Sequence, residues 1–233
     1  MSRSPIHNRI LAALPREAYD RMALQMETVR LPSGKVLYHV GDLIREVYFP
    51  DRGMASLLAA TADGAAIEVG LVGKEGMLGL PIVLGMPTTP YHVVIEVPGT
   101  AMRMNASLLR EACARHELLR DRLLRYTYTL LTQISQSAVC HHFHTLEERL
   151  CRRLLTTCDR AQANTFRLTQ ERLSQILGAR RQSVSEVAAA LQKAGLIHYF
   201  RGQMTIIDRE GLEALACECY EIVKEAYNRG LIA

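Results

Sequence analysis

The sequence predicts an α+β protein in three successive parts: an antiparallel β-roll, a long helix and a winged helix-turn-helix. Three observations lead there. Short alternating apolar runs broken by turn residues fill positions 28–104, no glycine or proline occurs from Ser107 to Ala161, and the stretch from Leu168 to Ile197 reads as two helices about a tight turn. The chain accordingly divides into 1–107 for the roll with its leading helices, 108–145 for a dimerisation helix and 146–233 for a DNA-binding domain.

Composition bounds the function. With 233 residues, 48% apolar and 22% charged, the chain is long enough for two modest domains of ordinary globular make-up. A net charge of +4 and a pI near 8.8 suit a nucleic-acid partner without establishing one. The first twenty residues lack the unbroken apolar core of a secretion signal, and no run of about 18 apolar residues occurs, so the expected location is cytoplasmic with no membrane contact. Cys113, Cys140, Cys151, Cys158, Cys217 and Cys219 are dispersed through predicted helices, which in the cytoplasm means reduced thiols. Cys217 and Cys219 lie close, but two residues apart on a helix they point different ways and make a poor chelate by themselves.

Taken in order, Ile6 to Glu27 carries Ile10, Leu11, Leu14, Met22 and Met26 at helical spacing and is interrupted at Pro15, which predicts a short helical hairpin. The strands of the roll are separated by turn signals at Ser33 and Gly34, Gly41 and Asp42, Asp51 to Gly53, Asp63 and Gly64, Gly73, and Pro98 and Gly99. Along the long helix, Leu119, Leu123, Tyr126, Leu130, Gln133 and Ser137 form one stripe, and Leu124, Leu131, Ile134 and Ala138 a second. One stripe can pack on the roll while the other meets a second copy. A two-fold homodimer follows, with reading helices about 34 Å apart to fit successive major grooves.

In LTQERLSQILGARRQSVSEVAAALQKAGLI, Thr169 can cap the first helix, Gly178 permits the sharp turn, and Gly195 lies past the end of the second. Apolar anchors at Leu173, Leu177, Ala179, Val184 and Val187 and a small Ser174 allow two helices to cross closely. LIHYFRGQMTIID then alternates about Arg201 and Gly202 as a two-stranded wing. From Thr165 to Ile207 there are six basic residues, Arg167, Arg172, Arg180, Arg181, Lys193 and Arg201, against Glu171 and Glu186, so this region carries the chain's whole net charge. Double-stranded DNA is the expected partner, contacted by Thr169, Arg180, Arg181, Gln182, Ser183, Ser185, Arg201 and Gln203. From Asp208 onward the pattern predicts one more amphipathic helix, capped by Asp208 and closing over the C-terminal domain.

This order of elements resembles the family of the cyclic-AMP receptor protein and the fumarate and nitrate reduction regulator, the Crp/Fnr family. The likeness covers nearly the whole chain; it is strongest in the helix-turn-helix and moderate in VYFPDRGMASLL and GKEGMLG. It implies a cyclic-nucleotide-binding-like jelly roll and a homodimeric bacterial transcription factor that senses a small-molecule effector, with RNA polymerase as a further partner. The matching effector pocket comprises Gly79, Leu80, Thr89, Tyr91 and Ser135. Where cyclic-AMP binders of the family carry Gly-Glu-Leu and an Arg-Ser pair, this chain has Gly79, Leu80 and Pro81, then Thr89 and Pro90. An anionic nucleotide would lose its water there without compensation, so cyclic AMP is not the expected ligand. The oxygen-sensing branch has cysteines near its N-terminus, whereas the first here is Cys113, so no iron-sulfur cluster is expected. The family's Arg-Glu and next-turn Arg are replaced by Arg181, Gln182 and Glu186, which implies a different operator.

Other chemistry finds less support. Cys140, His141, His142 and His144 cluster at the end of the long helix, but no fourth ligand has matching spacing, so no metal or cofactor is expected. His39 and His92 are conceivable heme ligands, with ordinary packed or exposed histidines the commoner case. No phosphate-binding loop, GxGxxG, HExxH or GxSxG occurs, and no catalytic residue is assigned. Two alternatives stay open: an effector-sensing module whose DNA contact has decayed, which duplex affinity with a steep salt slope would exclude, and a metal or heme sensor, which clean apo-protein would exclude.

Overall fold

The computed structural model describes residues 6–232; the first five residues, part of the stretch read for a secretion signal, and Ala233 lie outside it. Two short helices, α1 (Arg9–Ala12) and α2 (Arg16–Ala23), flank Pro15 as the spacing predicts. Asn8 caps α1 through its side-chain oxygen, and its amide donates to the Pro50 and Gly76 carbonyls at 3.0 and 2.8 Å, tying the leading hairpin to the roll.

The roll is one antiparallel sheet of β1 (Met26–Leu31), β2 (Val36–Tyr38), β3 (Glu46–Ala60), β4 (Ala66–Val72) and β5 (His92–Asn105), in the order β1-β5-β3-β4 with β2 also on β5. The two long strands β3 and β5 pair from Glu46 opposite Asn105 to Leu58 opposite His92, with register shifts between Pro50 and Ala55. There the backbones approach so closely that a Cβ on Gly99 would lie 2.0 Å from the Arg52 carbonyl oxygen, so only glycine fits.

No glycine or proline marks the first unexpected break. At His116 the backbone is extended (φ −124°, ψ 94°), so the long stretch begins as α3 (Ala106–Arg115), which packs on the roll through Ala106, Leu109 and Ala112, and the long helix proper is α4 (Glu117–Phe143). Leu119, Leu123, Tyr126, Leu130, Gln133 and Ser137 of α4 are buried, as the first stripe requires. Phe49, Met77, Leu78, Ile95 and Met104 of the roll join Leu119, Leu123 and Tyr126 in one core. The second stripe lies mostly outside it: Leu124 is 44% and Leu131 58% exposed and Ala138 is exposed, while Ile134 is half-buried against the core.

A capping box of Thr145 and Glu148 starts α5 (Leu146–Ala161). The C-terminal domain then runs β6 (Thr165–Arg167), α6 (Gln170–Leu177), α7 (Arg181–Lys193), β7 (Ile197–Phe200) and β8 (Gln203–Ile206), with β8 between β6 and β7. Strand β6 extends the expected two-stranded wing to three. In place of the one helix expected from Asp208, there are two, α8 (Arg209–Leu215) and α9 (Cys219–Ile232), because Ala216 is extended at ψ 146°. Nor does α9 close over the C-terminal domain alone. Val223 and Tyr227 enter the roll core beside α4, since their apolar surface finds more burial there than on the small winged domain.

Candidate nucleic-acid interface and effector pocket

The helix-turn-helix is built as its sequence requires. Thr169 Oγ1 accepts from the Arg172 backbone N–H at 3.2 Å, Gly178 is left-handed at φ 57°, and Leu173, Leu177 and Val184 are buried while Ala179 and Val187 pack against the same core. This leaves the start of α7 outward: Arg180, Arg181 and Gln182 are exposed, with Ser183 and Ser185 half-buried beside them. Ser185 Oγ donates back to the Arg181 carbonyl at 2.9 Å, and the Gln182 amide donates to Glu186 Oε1 at 3.0 Å. Glu186 is thus the helix partner of Gln182. In the wing, Arg201 (φ 49°) and Gly202 (φ 78°) form the left-handed turn of a tight hairpin. Arg201 and Gln203 are exposed there, with the guanidinium carbon 5.1 Å from the Phe200 ring centre, and Thr169 is exposed nearby, its methyl 3.3 Å from a Cβ built on Gly202.

Arg172, counted in the basic surface, points elsewhere. Its Nε donates to Glu96 Oε1 of β5 at 2.8 Å and its Nη1 to Gln175 Oε1 at 3.1 Å, with the Glu96 side chain only 8% exposed. At the other end of α6, a Cβ on Gly178 would lie 3.1 Å from Ile67 Cδ1 of β4. The first helix of the motif is therefore docked on the roll. Helix α5 is docked as well: Arg153 meets Glu68 through Nε at 2.8 Å and Nη2 at 3.1 Å, and Arg160 reaches Glu75 at 3.3 Å and stacks 4.7 Å from the Tyr227 ring centre. Burial raises the Glu68 carboxyl above its ordinary pKa, with Arg153 and a Ser56 hydrogen bond pulling it partly back.

A cavity of about 450 Å³ opens between the roll, the 3-10 turn Leu80–Leu84 and α4. Gly79, Leu80, Thr89 and Tyr91 line it as expected, together with Met77, Val93, Thr127, Leu130, Leu131 and Ile134. Ser135 does not: it is exposed on α4, one position past the face that lines the cavity. Among the described residues, none that lines it carries a charge. His39 and His92 meet at the surface with ring centres 5.4 Å apart and edge to face. At the far end of α4, His141 Nδ1 faces the Ser137 carbonyl at 2.7 Å and His142 lies against Phe143, while Cys140 and His144 face Cys217 and Cys219, two pairs of donors that sequence spacing did not connect with each other. No described helix is long and apolar enough to cross a membrane.

Two family models match in succession: the cyclic nucleotide-binding domain over residues 28–116 and the Crp-like helix-turn-helix domain over residues 148–215. The chain belongs to the Crp/Fnr family. As a member of it, the chain is a DNA-binding transcription regulator with a signal-responsive roll. A curated relative, the CRP-like cAMP-activated global transcriptional regulator of Mycobacterium tuberculosis, is 24% identical over 204 residues, covering 84% of this chain and 90% of that one. Among solved structures, FixK2 from Bradyrhizobium japonicum aligns with TM-score 0.71 at 17% identity, over 82% of this chain and 98% of its own. The c-di-GMP responsive regulator CLP of Xanthomonas campestris aligns with TM-score 0.65 at 18% identity, over 82% and 99%. At these identities the structural likeness establishes the fold that Crp/Fnr regulators share.

Proposed function

We propose that this Crp/Fnr regulator acts as a homodimer seamed along α4, reads an operator through Arg180, Arg181 and Gln182 at the start of α7, and is switched by a neutral, largely apolar small molecule held in the cavity beside α4. What supports the reading above all is the N-terminal turn of α7, where Arg180, Arg181 and Gln182 are exposed. Such side chains pair with guanine and adenine edges, while Thr169, Ser183, Ser185, Arg201 and Gln203 are placed around them for phosphates and sugars. The two relatives are described as responding to cAMP and c-di-GMP. Here a phosphate would enter a cavity with no cation to meet it, a cost that an uncharged ligand avoids. Signal transfer is a population shift: the occupant favours one packing of the α4 helices, and so one separation of the reading helices. A promoter-bound dimer of this kind would also present its surface to RNA polymerase.

The test is selection of bound sequences from a random duplex pool, followed by affinity measurements on the selected operator. A two-fold symmetric site with half-sites about one helical turn apart is expected. Arg181→Ala should lose about 1–3 kcal/mol on that site and relax the base preference at one position, and Gln182→Ala should do so at the neighbouring position. Unchanged affinity and selectivity in both variants would remove α7 from the interface.

A further inference from the structure

The corner between α8 and α9 brings together two pairs of ligating side chains that lie far apart in sequence, Cys217 being 77 positions after Cys140. Within a single helix Cys217 and Cys219 would diverge. Because α8 ends at Leu215 and α9 begins at Cys219, Cys217 sits in the connecting corner and Cys219 in the first turn, and both thiols face α4. One donor atom from each of Cys140, His144, Cys217 and Cys219 lies within 4.8 Å of all the others. Cys140 Sγ and Cys217 Sγ are 3.5 Å apart, and Cys219 Sγ and His144 Nδ1 3.4 Å. Two sulfurs around one tetrahedral zinc ion stand about 3.8 Å apart, so the spacing suits a single shared ion. A multi-iron cluster is larger and needs its cysteines further apart.

The surroundings fit as well. His144 Nε2 lies 3.3 Å from Glu218 Oε1, the carboxylate placement that fixes the ring with Nδ1 free to ligate. Gln136 Nε2 donates to Cys219 Sγ at 3.1 Å, the kind of contact that steadies a thiolate. Arg152 lies close enough to act electrostatically on Cys140 and Cys217. Three thiolates and a neutral imidazole around a divalent ion sum to one negative charge, which that arginine offsets. The three thiols are almost wholly shielded, with Cys140 and Cys219 at 0% and Cys217 at 5% exposure.

We propose that Cys140, His144, Cys217 and Cys219 bind one zinc-class divalent ion in a closed tetrahedral site that staples the end of α4 to the α8–α9 corner. His144 ends α4 and Thr145 caps α5, so the ion sits at the hinge between the dimer helix and the DNA-binding domain. Binding replaces the three thiol protons, which are released to solvent, and leaves no coordination position open for a substrate. The ion therefore holds the hinge in one geometry rather than performing chemistry.

The full-length chain, reduced and stripped by chelator, is titrated with cobalt and then zinc. One cobalt per chain is expected, with the strong visible bands of tetrahedral thiolate-bound Co²⁺, proton release, and bleaching by one equivalent of zinc. Cys219→Ser should lose about a third of the thiolate-to-cobalt intensity, one Co–S bond of three, and most of the zinc affinity. Glu218→Gln, at a 66% exposed side chain, should keep the bands and weaken zinc by about 10–100-fold. Cys113→Ser, on α3, should change neither. Should Cys219→Ser fail to fold by circular dichroism, Glu218→Gln decides. No bound cobalt, an octahedral spectrum, zinc affinity unaltered in both Cys219→Ser and Glu218→Gln, or a Cys140–Cys217 disulfide forming instead of metal uptake would each overturn the site. None of these readouts involves DNA, so the metal site and the operator reading fail independently.

Discussion

Buried charge at single residues decides how the two halves of the molecule adhere. Glu68 is 7% exposed on β4 and is held by Arg153 of α5 and by Ser56. Loss of water outweighs these partners, so the folded chain holds the Glu68 proton more tightly than the unfolded chain does. The sign follows: this group favours folding most below its ordinary value of 4.5, and its contribution declines as pH rises through the raised native value. The stability margin of the native chain over Glu68→Gln, measured from urea midpoints, should therefore narrow as pH rises from 4.5. A margin that widened would show that Arg153 dominates the carboxylate instead. At this scale the sequence was most informative where one residue has one local task, as with the Thr169 cap, the left-handed Gly178 and the outward Arg181 and Gln182. It was silent where a partner comes from a distant element. Nothing in local spacing connects Arg172 to Glu96, or Cys140 to Cys217, and Ser135 turned out one position past the face that lines the cavity.

Among elements, α6 has two roles that compete. It supports the reading helix, and it also docks on the roll through Arg172 with Glu96 at one end and Gly178 against Ile67 at the other. The ion pair is largely shielded, so breaking it by removing one partner costs the docked state about 1–3 kcal/mol. If this docked state is the one that disfavours operator, Glu96→Gln should raise operator affinity in the absence of effector and speed hydrogen exchange in α6 while leaving α3 protected. An affinity unchanged by Glu96→Gln would mean that the contact only braces the fold. Helical periodicity made these elements legible because α4 and α7 each present one long apolar stripe to a core. The breaks at His116 and Ala216 were not legible. Neither residue is a glycine or a proline; at Ala216 the helices on the two sides have different surfaces to cover, α8 the winged domain through Leu212 and α9 the roll core through Val223 and Tyr227, whereas α3 and α4 both pack on the roll core and nothing in local spacing marks the break at His116.

At the scale of the whole molecule, the proposed homodimer rests on apolar side chains that α4 leaves at the surface. Leu131 lines the cavity and is nevertheless 58% exposed, while Leu124, one stripe position earlier, is 44% exposed. In the proposed dimer, an occupant of the cavity would bear on Leu131 and Ile134, the same stripe that would face the partner helix, and so would couple ligand to seam without an intervening relay. Leaving those leucines in water is a cost that a paired α4 removes. Leu124→Glu with Leu131→Glu should accordingly yield a folded monomer by sedimentation, because both side chains already sit at the surface and leave the core intact. Operator affinity should then fall by about 10²–10⁴-fold, the advantage that tethering two reading helices confers, while affinity for an isolated half-site changes little. A variant that still sedimented as a dimer and bound the full operator normally would place the seam elsewhere, and the cavity would then need another route to the DNA.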